Sequence, residues 1–246
     1  QVPQVAIDSS PAIVPLGSAI DPATGKKVDG VMFIHYKKAP THKPQHGSKG
    51  GGGTTCFAYL SNGAKWKMVE PWLMNGANSE GLASASLFGL EDASLAKWED
   101  ASDGVVGNGV SVEIFGAGSA TSSTLVADTS SPDGQNEVYF GDVSEPNVIA
   151  VTIVWGIFAG PPSGRELVEW DQVYDQVDFN WSAGAGGVAG KMDFDNIETH
   201  ENGHSAGMGH PSDTCTEETM YRFSQTAETK NRDLNAGDIA GIDGLY

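Results

Sequence analysis

His200-Glu201-Asn202-Gly203-His204-Ser205-Ala206-Gly207-Met208-Gly209-His210 is the stretch on which the reading of this 246-residue chain turns. It satisfies H-E-x-x-H-x-x-G-x-x-H at every fixed position. His200 and His204 stand four residues apart. On a helix that is about 400° of rotation and about 6 Å of rise, so both imidazoles leave one face. A third ligand at His210 would lie about 9 Å further along a continuing helix, out of reach of the same ion. The helix therefore has to stop, and Gly207 stands where a left-handed residue ends it at little cost. His210 then returns from the following turn. Three neutral histidines on one zinc leave the fourth position to water, the arrangement of a catalytic site. Glu201, beside the first ligand, is placed to take a proton from that water. The bland alternative is a helix with two surface histidines and a third nearby by coincidence. It must also explain Glu201 and Gly207 at the required spacing.

This segment resembles the active-site region of the metzincin clan of zinc endopeptidases. Thr219-Met220-Tyr221 lies past it, with Met220 ten residues after His210, where the clan carries a Met-turn beneath the zinc. Read alone, Met220 would be core filler. Asp193-Phe194-Asp195-Asn196-Ile197 and Asp238-Ile239-Ala240-Gly241-Ile242 are similar to the matrixin-like branch. So are Asn136–Phe140 and Ile149–Trp155, in the places of its third and fourth strands. The resemblance covers about residues 54–246 and is strongest in the last third.

It implies a metzincin-like α/β (α+β) catalytic domain. That domain has a twisted mixed sheet, an active-site helix and a small C-terminal subdomain, the upper part reaching about residue 209 and the lower spanning 210–246. It also implies catalytic zinc on His200, His204 and His210, and an extended peptide laid along Val148–Trp155 by β-augmentation. Four departures stand out. Asn202 and Met208 replace larger apolar residues. Pro211 follows the last ligand as in the serralysin branch, yet no Gly-Asp-rich repeats follow. Arg222 occupies the place of a zinc-binding Tyr, so Tyr221 is not carried over as a ligand. A cysteine-switch motif is not found.

Outward from the motif, Asp193 opens a helix through about Gly207, and Asn235–Leu245 reads as a short closing helix. Leu82–Trp98 has helical spacing. Val110–Phe115 alternates Val110, Val112 and Ile114 against Ser111 and Glu113, which predicts a strand. Cys56–Leu60, Trp66–Leu73, Asn136–Phe140, Val148–Phe158 and Leu167–Asn180 also read as strands. Val148–Phe158 is apolar almost throughout, as for a strand covered on both faces. Residues 1–53 differ: they carry six of the twelve prolines, one strand-like stretch at Val28–Tyr36, a basic His-bearing tract, and Gly50-Gly51-Gly52-Gly53. Four consecutive glycines read as a flexible linker, so 1–53 is set apart as an N-terminal extension, possible as a pro-segment, from the catalytic domain at 54–246.

Net charge is −18, from 14 basic and 32 acidic residues. That argues against nucleic acid and against anionic membrane surfaces. No run is apolar for long enough to span a bilayer. Gln1 at the start reads as a processed form. Asp128, Asp133, Asn136 and Glu137 form one candidate calcium group, with a solvated turn as the alternative; Asp171, Asp175 and Asp178 form another. His35, His42 and His46 are either a second metal site or a solvated basic tail. Cys56 and Cys215 are the only cysteines. They are bridged, in keeping with an oxidising compartment, or are separate buried thiols; a Cys56 thiolate on the zinc is a third option.

Together these readings describe a secreted, monomeric zinc endopeptidase. The alternative is a latent zymogen, or a binding module of the same fold, whose cleft is covered by residues 1–53. Glu201 argues against a dead enzyme.

Overall fold

Val148–Ile157 is a run of β-branched and aromatic residues in which everything up to Gly156 is buried. A strand like that needs neighbours along both edges and cover on both faces. The computed structural model, which describes residues 12–38 and 55–246, supplies them. The chain first forms a hairpin of β1 (Ile13–Ile20) and β2 (Lys27–Lys37). It continues through β3 (Ala58–Tyr59), β4 (Trp72–Asn75), helix α1 (Ser84–Asp100), β5 (Gly118–Ala120), β6 (Asn136–Gly141), β7 (Val148–Ile157) and β8 (Glu166–Asp175). Then come β9 (Trp181–Ser182), β10 (Met192–Asp193), α2 (Phe194–Ser205), β11 (Met208–Gly209), β12 (Phe223–Ser224) and α3 (Ala236–Leu245).

The main sheet runs β1-β2-β7-β8-β6-β4-β5, with β12 added to β2. β5, β4, β6 and β8 are parallel, whereas β7 is antiparallel to both β8 and β2. Helices α1 and α2 pack together against one face. Between them and the sheet lies the main core, with Trp72, Trp98, Trp170, Trp181, Tyr174 and Phe194 at its centre. On the opposite face Ala127, from the segment before β6, packs on two smaller apolar clusters. After His210 the chain has only β12, short turns and α3 as regular structure. The mixed sheet, active-site helix and small C-terminal part are the expected α+β architecture.

Some sequence expectations fail for physical reasons. Val110–Phe115 is not a strand. Its backbone donors are taken by the end of α1: Ser102 Oγ accepts from Val112 N–H at 2.8 Å, and Glu99 Oε1 accepts from Ile114 and Phe115 at 2.8 and 2.9 Å. Val110 and Val112 are left exposed, and only the end of the stretch, Ile114 and Phe115, enters the core. The strand expected over Trp66–Leu73 begins only at Trp72. β1 escapes a pattern search because Pro15 and Gly17 interrupt it. It is an edge strand with a register shift between those residues, the position in a sheet where Pro is tolerated. His42, His46 and Gly50–Gly53 lie outside the described residues.

Cys56 and Cys215 are bridged, with Cα atoms 5.5 Å apart and a sequence separation of 159. The bond ties the chain just before β3 to the turn between His210 and Met220. A loop that long constrains the unfolded chain by about 5 kcal/mol in the entropy model. Reduction is therefore expected to lower the thermal midpoint by several degrees and to loosen metal retention. Calorimetry with and without reductant checks this; an unchanged midpoint on full reduction would contradict it.

Candidate active site

Asp193 starts α2 by accepting a hydrogen bond from Asn196 N–H at 3.1 Å, and Arg232 clamps the same carboxylate. A first-turn cap of this kind fixes where the helix begins and so where its faces point. From Phe194 to Ser205 only Asp195 reaches solvent appreciably. Gly207, at φ +99°, ends the helix in a conformation that other residues resist. Met208–Gly209 then pairs with Tyr59 and Ala58 as β11 on β3, and this short ladder delivers His210.

The result is a tight triangle of nitrogens. Nε2 of His204 is 3.1 Å from that of His200 and 3.0 Å from that of His210, and the third side is 3.2 Å. His200 Nδ1 donates to Thr219 O at 2.7 Å and His204 Nδ1 to Met208 O at 3.0 Å. Those bonds place the ring protons on Nδ1 and leave Nε2 lone pairs facing one another, as in metal-ligating histidines. Burial pulls all three rings toward the neutral form, His200 to about 3. Three converging neutral imidazoles fit a zinc ion and not a charged pair or a hydrogen-bond network.

Met220 is fully buried directly beneath this helix. A Cβ built on Gly203 would meet Met220 Cε at 3.0 Å and the Trp98 ring at 2.6 Å, so only glycine allows that approach. Asp238 of α3 holds the turn from below: its carboxylate accepts from Thr219 N–H at 2.7 Å and Met220 N–H at 3.2 Å. α3 thereby positions the Thr219 carbonyl that orients His200. Asn202, which departs from the resembled pattern, is explained by its partners. It accepts from Gln172 Nε2 at 2.8 Å and donates to Ser94 Oγ at 3.1 Å, a polar link between β8, α2 and α1.

Glu201 is fully buried. Burial raises its carboxyl to about 6, against smaller opposing effects of His200 and Thr152. Oε2 accepts from Thr152 Oγ1 at 2.6 Å, and Oε1 faces His35 Nδ1 at 2.9 Å. Burial lowers His35 to about 3, so a neutral ring donates here and the contact is not an ion pair. Sequence reasoning missed Thr152 altogether and the place of His35 beside Glu201. Thr152 had one signal, the lone hydroxyl in an apolar strand. The solvated tail proposed for His35 is corrected: the side chain is fully buried because its strand lies inside the sheet.

Of the first calcium group, Asn136 is occupied by Pro71 O and Trp170 N–H, and Glu137 accepts from Val126 N–H. Asp128 instead meets Glu169 and Asp171 of β8, with ligand atoms within 4.8 Å of one another. Asp175 lies apart, accepting from the Val177 and Asp178 backbone.

The family model for Matrixin, the M10 peptidases, matches residues 75–246. The chain belongs to the matrixin family. A comparison with curated proteins finds no match. Every residue of the histidine triangle, with Glu201, Thr152, Met220 and Asp238, falls inside the matched part of this matrixin; His35 falls outside it. Membership implies a metallopeptidase that acts on peptide bonds and carries a catalytic zinc.

Proposed function

We propose that this matrixin is a secreted endopeptidase, acting as a monomer on extended peptides, with His200, His204 and His210 holding zinc and Glu201 as its general base. The observation that carries the reading is the triangle of Nε2 atoms beside the buried Glu201 carboxyl, which burial raises to about 6. A zinc ion held there would polarise the scissile carbonyl and make a nearby water acidic. Glu201 accepts the proton of the attacking water and returns it to the leaving nitrogen as the carbon–nitrogen bond breaks. Thr152 holds Oε2 and so orients the carboxylate. Secretion is supported by the disulfide; among the described residues no helix is long and apolar enough to cross a membrane. Elemental analysis of the metal-equilibrated chain is expected to find one zinc per chain, and a metal-free chain would contradict the reading.

A second cation, calcium, is proposed at Asp128, Glu169 and Asp171. Glu169 and Asp171 are almost wholly buried, and Asp128 Oδ2 and Glu169 Oε1 have no hydrogen-bond partner. Without a cation the protonated carboxyls are favoured there: burial raises Glu169 to about 9 and lifts Asp171 and Asp128 as well. The unfolded chain releases the Glu169 proton near 4.5. Between those values the folded state binds more protons, so stability in chelator falls as pH rises from about 4.5 to about 9. Thermal midpoints across that range are expected to slope downward in chelator and to flatten in millimolar calcium. A slope unaffected by calcium would contradict the site.

A further inference from the structure

We propose that Asn180 is an acceptor for an N-linked oligosaccharide, attached as this chain passes through a secretory compartment that transfers such sugars. The proposal rests on the secreted reading and adds a covalent modification to it. Asn180-Trp181-Ser182 has the form Asn-x-Ser with x other than Pro, the acceptor pattern for this modification. No other asparagine of the chain has Ser or Thr two residues on. The pattern is short enough to arise by chance; the fold gives it weight.

Asn180 ends the turn between β8 and β9 and is exposed, between two buried neighbours, Phe179 and Trp181. Those neighbours reach into the core and pin the backbone from which Asn180 points outward. The turn is held without its carboxamide. Trp181 Nε1 donates to Asp175 O at 2.6 Å, and the Asp175 carboxylate accepts from Val177 and Asp178 N–H at 2.7 and 3.1 Å. The Asn180 carbonyl accepts from Met192 N–H at 2.8 Å. Val177 and Asp178, on the same turn, are also exposed, so a bulky, hydrated sugar rooted at Asn180 displaces no packed group.

Ser182 sets the timing. In the folded chain it is buried, and its Oγ donates to Met192 O at 3.2 Å. The folded chain therefore does not offer the tripeptide in extended form, and the sugar goes on first. The order of the chain permits this, because β9 is fixed by pairing with β10, which follows it in sequence. Asn180 Nδ2 attacks the anomeric carbon of an oligosaccharide carried on a polyprenyl diphosphate. A carbon–nitrogen bond forms and the bond from that carbon to the diphosphate oxygen breaks. The diphosphate leaves with the electron pair, and the amide proton passes to a base of the transferase.

The full chain, carrying a cleavable secretory leader, is made in eukaryotic cells beside Asn180→Gln and Ser182→Ala. Medium and cell lysate are both read on gels and by peptide mass spectrometry, before and after peptide-N-glycosidase. That enzyme removes the sugar and leaves Asp in place of the modified Asn. The parent is expected to run as a heavier band that collapses to the bare chain on treatment, with the change confined to Asn180. Both variants are expected to lose the heavier band altogether, Ser182→Ala with Asn180 still present. Because the sugar is added before folding, a variant that misfolds and stays in the cell is read equally well. The leader carries the chain into the secretory route in every case. A bare Asn180 in the parent, in medium or lysate, would therefore overturn the proposal and leave the secreted and endopeptidase readings untouched. Sugar that persists on Asn180 in Ser182→Ala would overturn it as well. Zinc-dependent cleavage of a peptide library by the same samples tests the endopeptidase reading separately, and its absence would sink that reading while the sugar on Asn180 stands.

Discussion

Glu201→Gln is expected to keep the metal and lose catalysis. The amide has the size of the carboxylate and can still accept from Thr152 Oγ1, which lies 2.6 Å from Oε2. What it cannot do is take a proton from water. General-base catalysis contributes about 10²–10⁴-fold, so the rate per bound zinc should fall by that factor. Elemental analysis should give the same zinc content as the parent. Initial rates on a fluorogenic peptide library check the loss, and activity within about threefold of the parent would contradict the role given to Glu201.

His204→Ala is expected to remove metal and activity together. His204 is the corner of the triangle nearest to both others, and its ring is oriented by Met208 O from the turn that Gly207 creates. Two remaining histidines rarely hold zinc in water, because a stable site needs three or four protein ligands. The substitution also removes the ring on which Phe33 stacks, so some loss of stability accompanies the loss of metal. Metal content after dialysis, read beside the circular dichroism of the same sample, separates an emptied site from an unfolded chain. Retained stoichiometric zinc would rule out the ligand set.

The site was legible in the sequence to an unusual degree because its geometry is local. His200, Glu201 and His204 share one helical turn, and Gly207 and His210 follow within six residues of His204. Spacing alone therefore carries the argument. The pieces that were not legible come from distant chain. Thr152 reaches Glu201 across 49 residues and His35 across 166; no periodicity links such pairs, and each residue had a bland reading where it stood. The same holds for Asp128 with Asp171, which are 43 residues apart and meet only because β6 and β8 lie side by side.

For the fold, Val148–Ile157 was readable because being buried on both faces needs an unbroken apolar run. What buries its second edge was not readable. Val28–Tyr36 reads as an isolated strand in a proline-rich N-terminal extension, followed by a basic tract, and no local feature says that it pairs with a strand more than a hundred residues away. Val110–Phe115 shows the opposite error. Its alternation was real, but the Glu99 and Ser102 side chains claimed the backbone donors before a neighbouring strand could.

The most direct test of the central claim is a digest of a mixed peptide library at neutral pH by the full chain, run with zinc, with a chelator, and with zinc restored. Cleavage at internal peptide bonds that stops with the chelator, returns with zinc and is missing in Glu201→Gln is the predicted result. Cleavage that persists in chelator, or in Glu201→Gln, would contradict a zinc endopeptidase acting through this site.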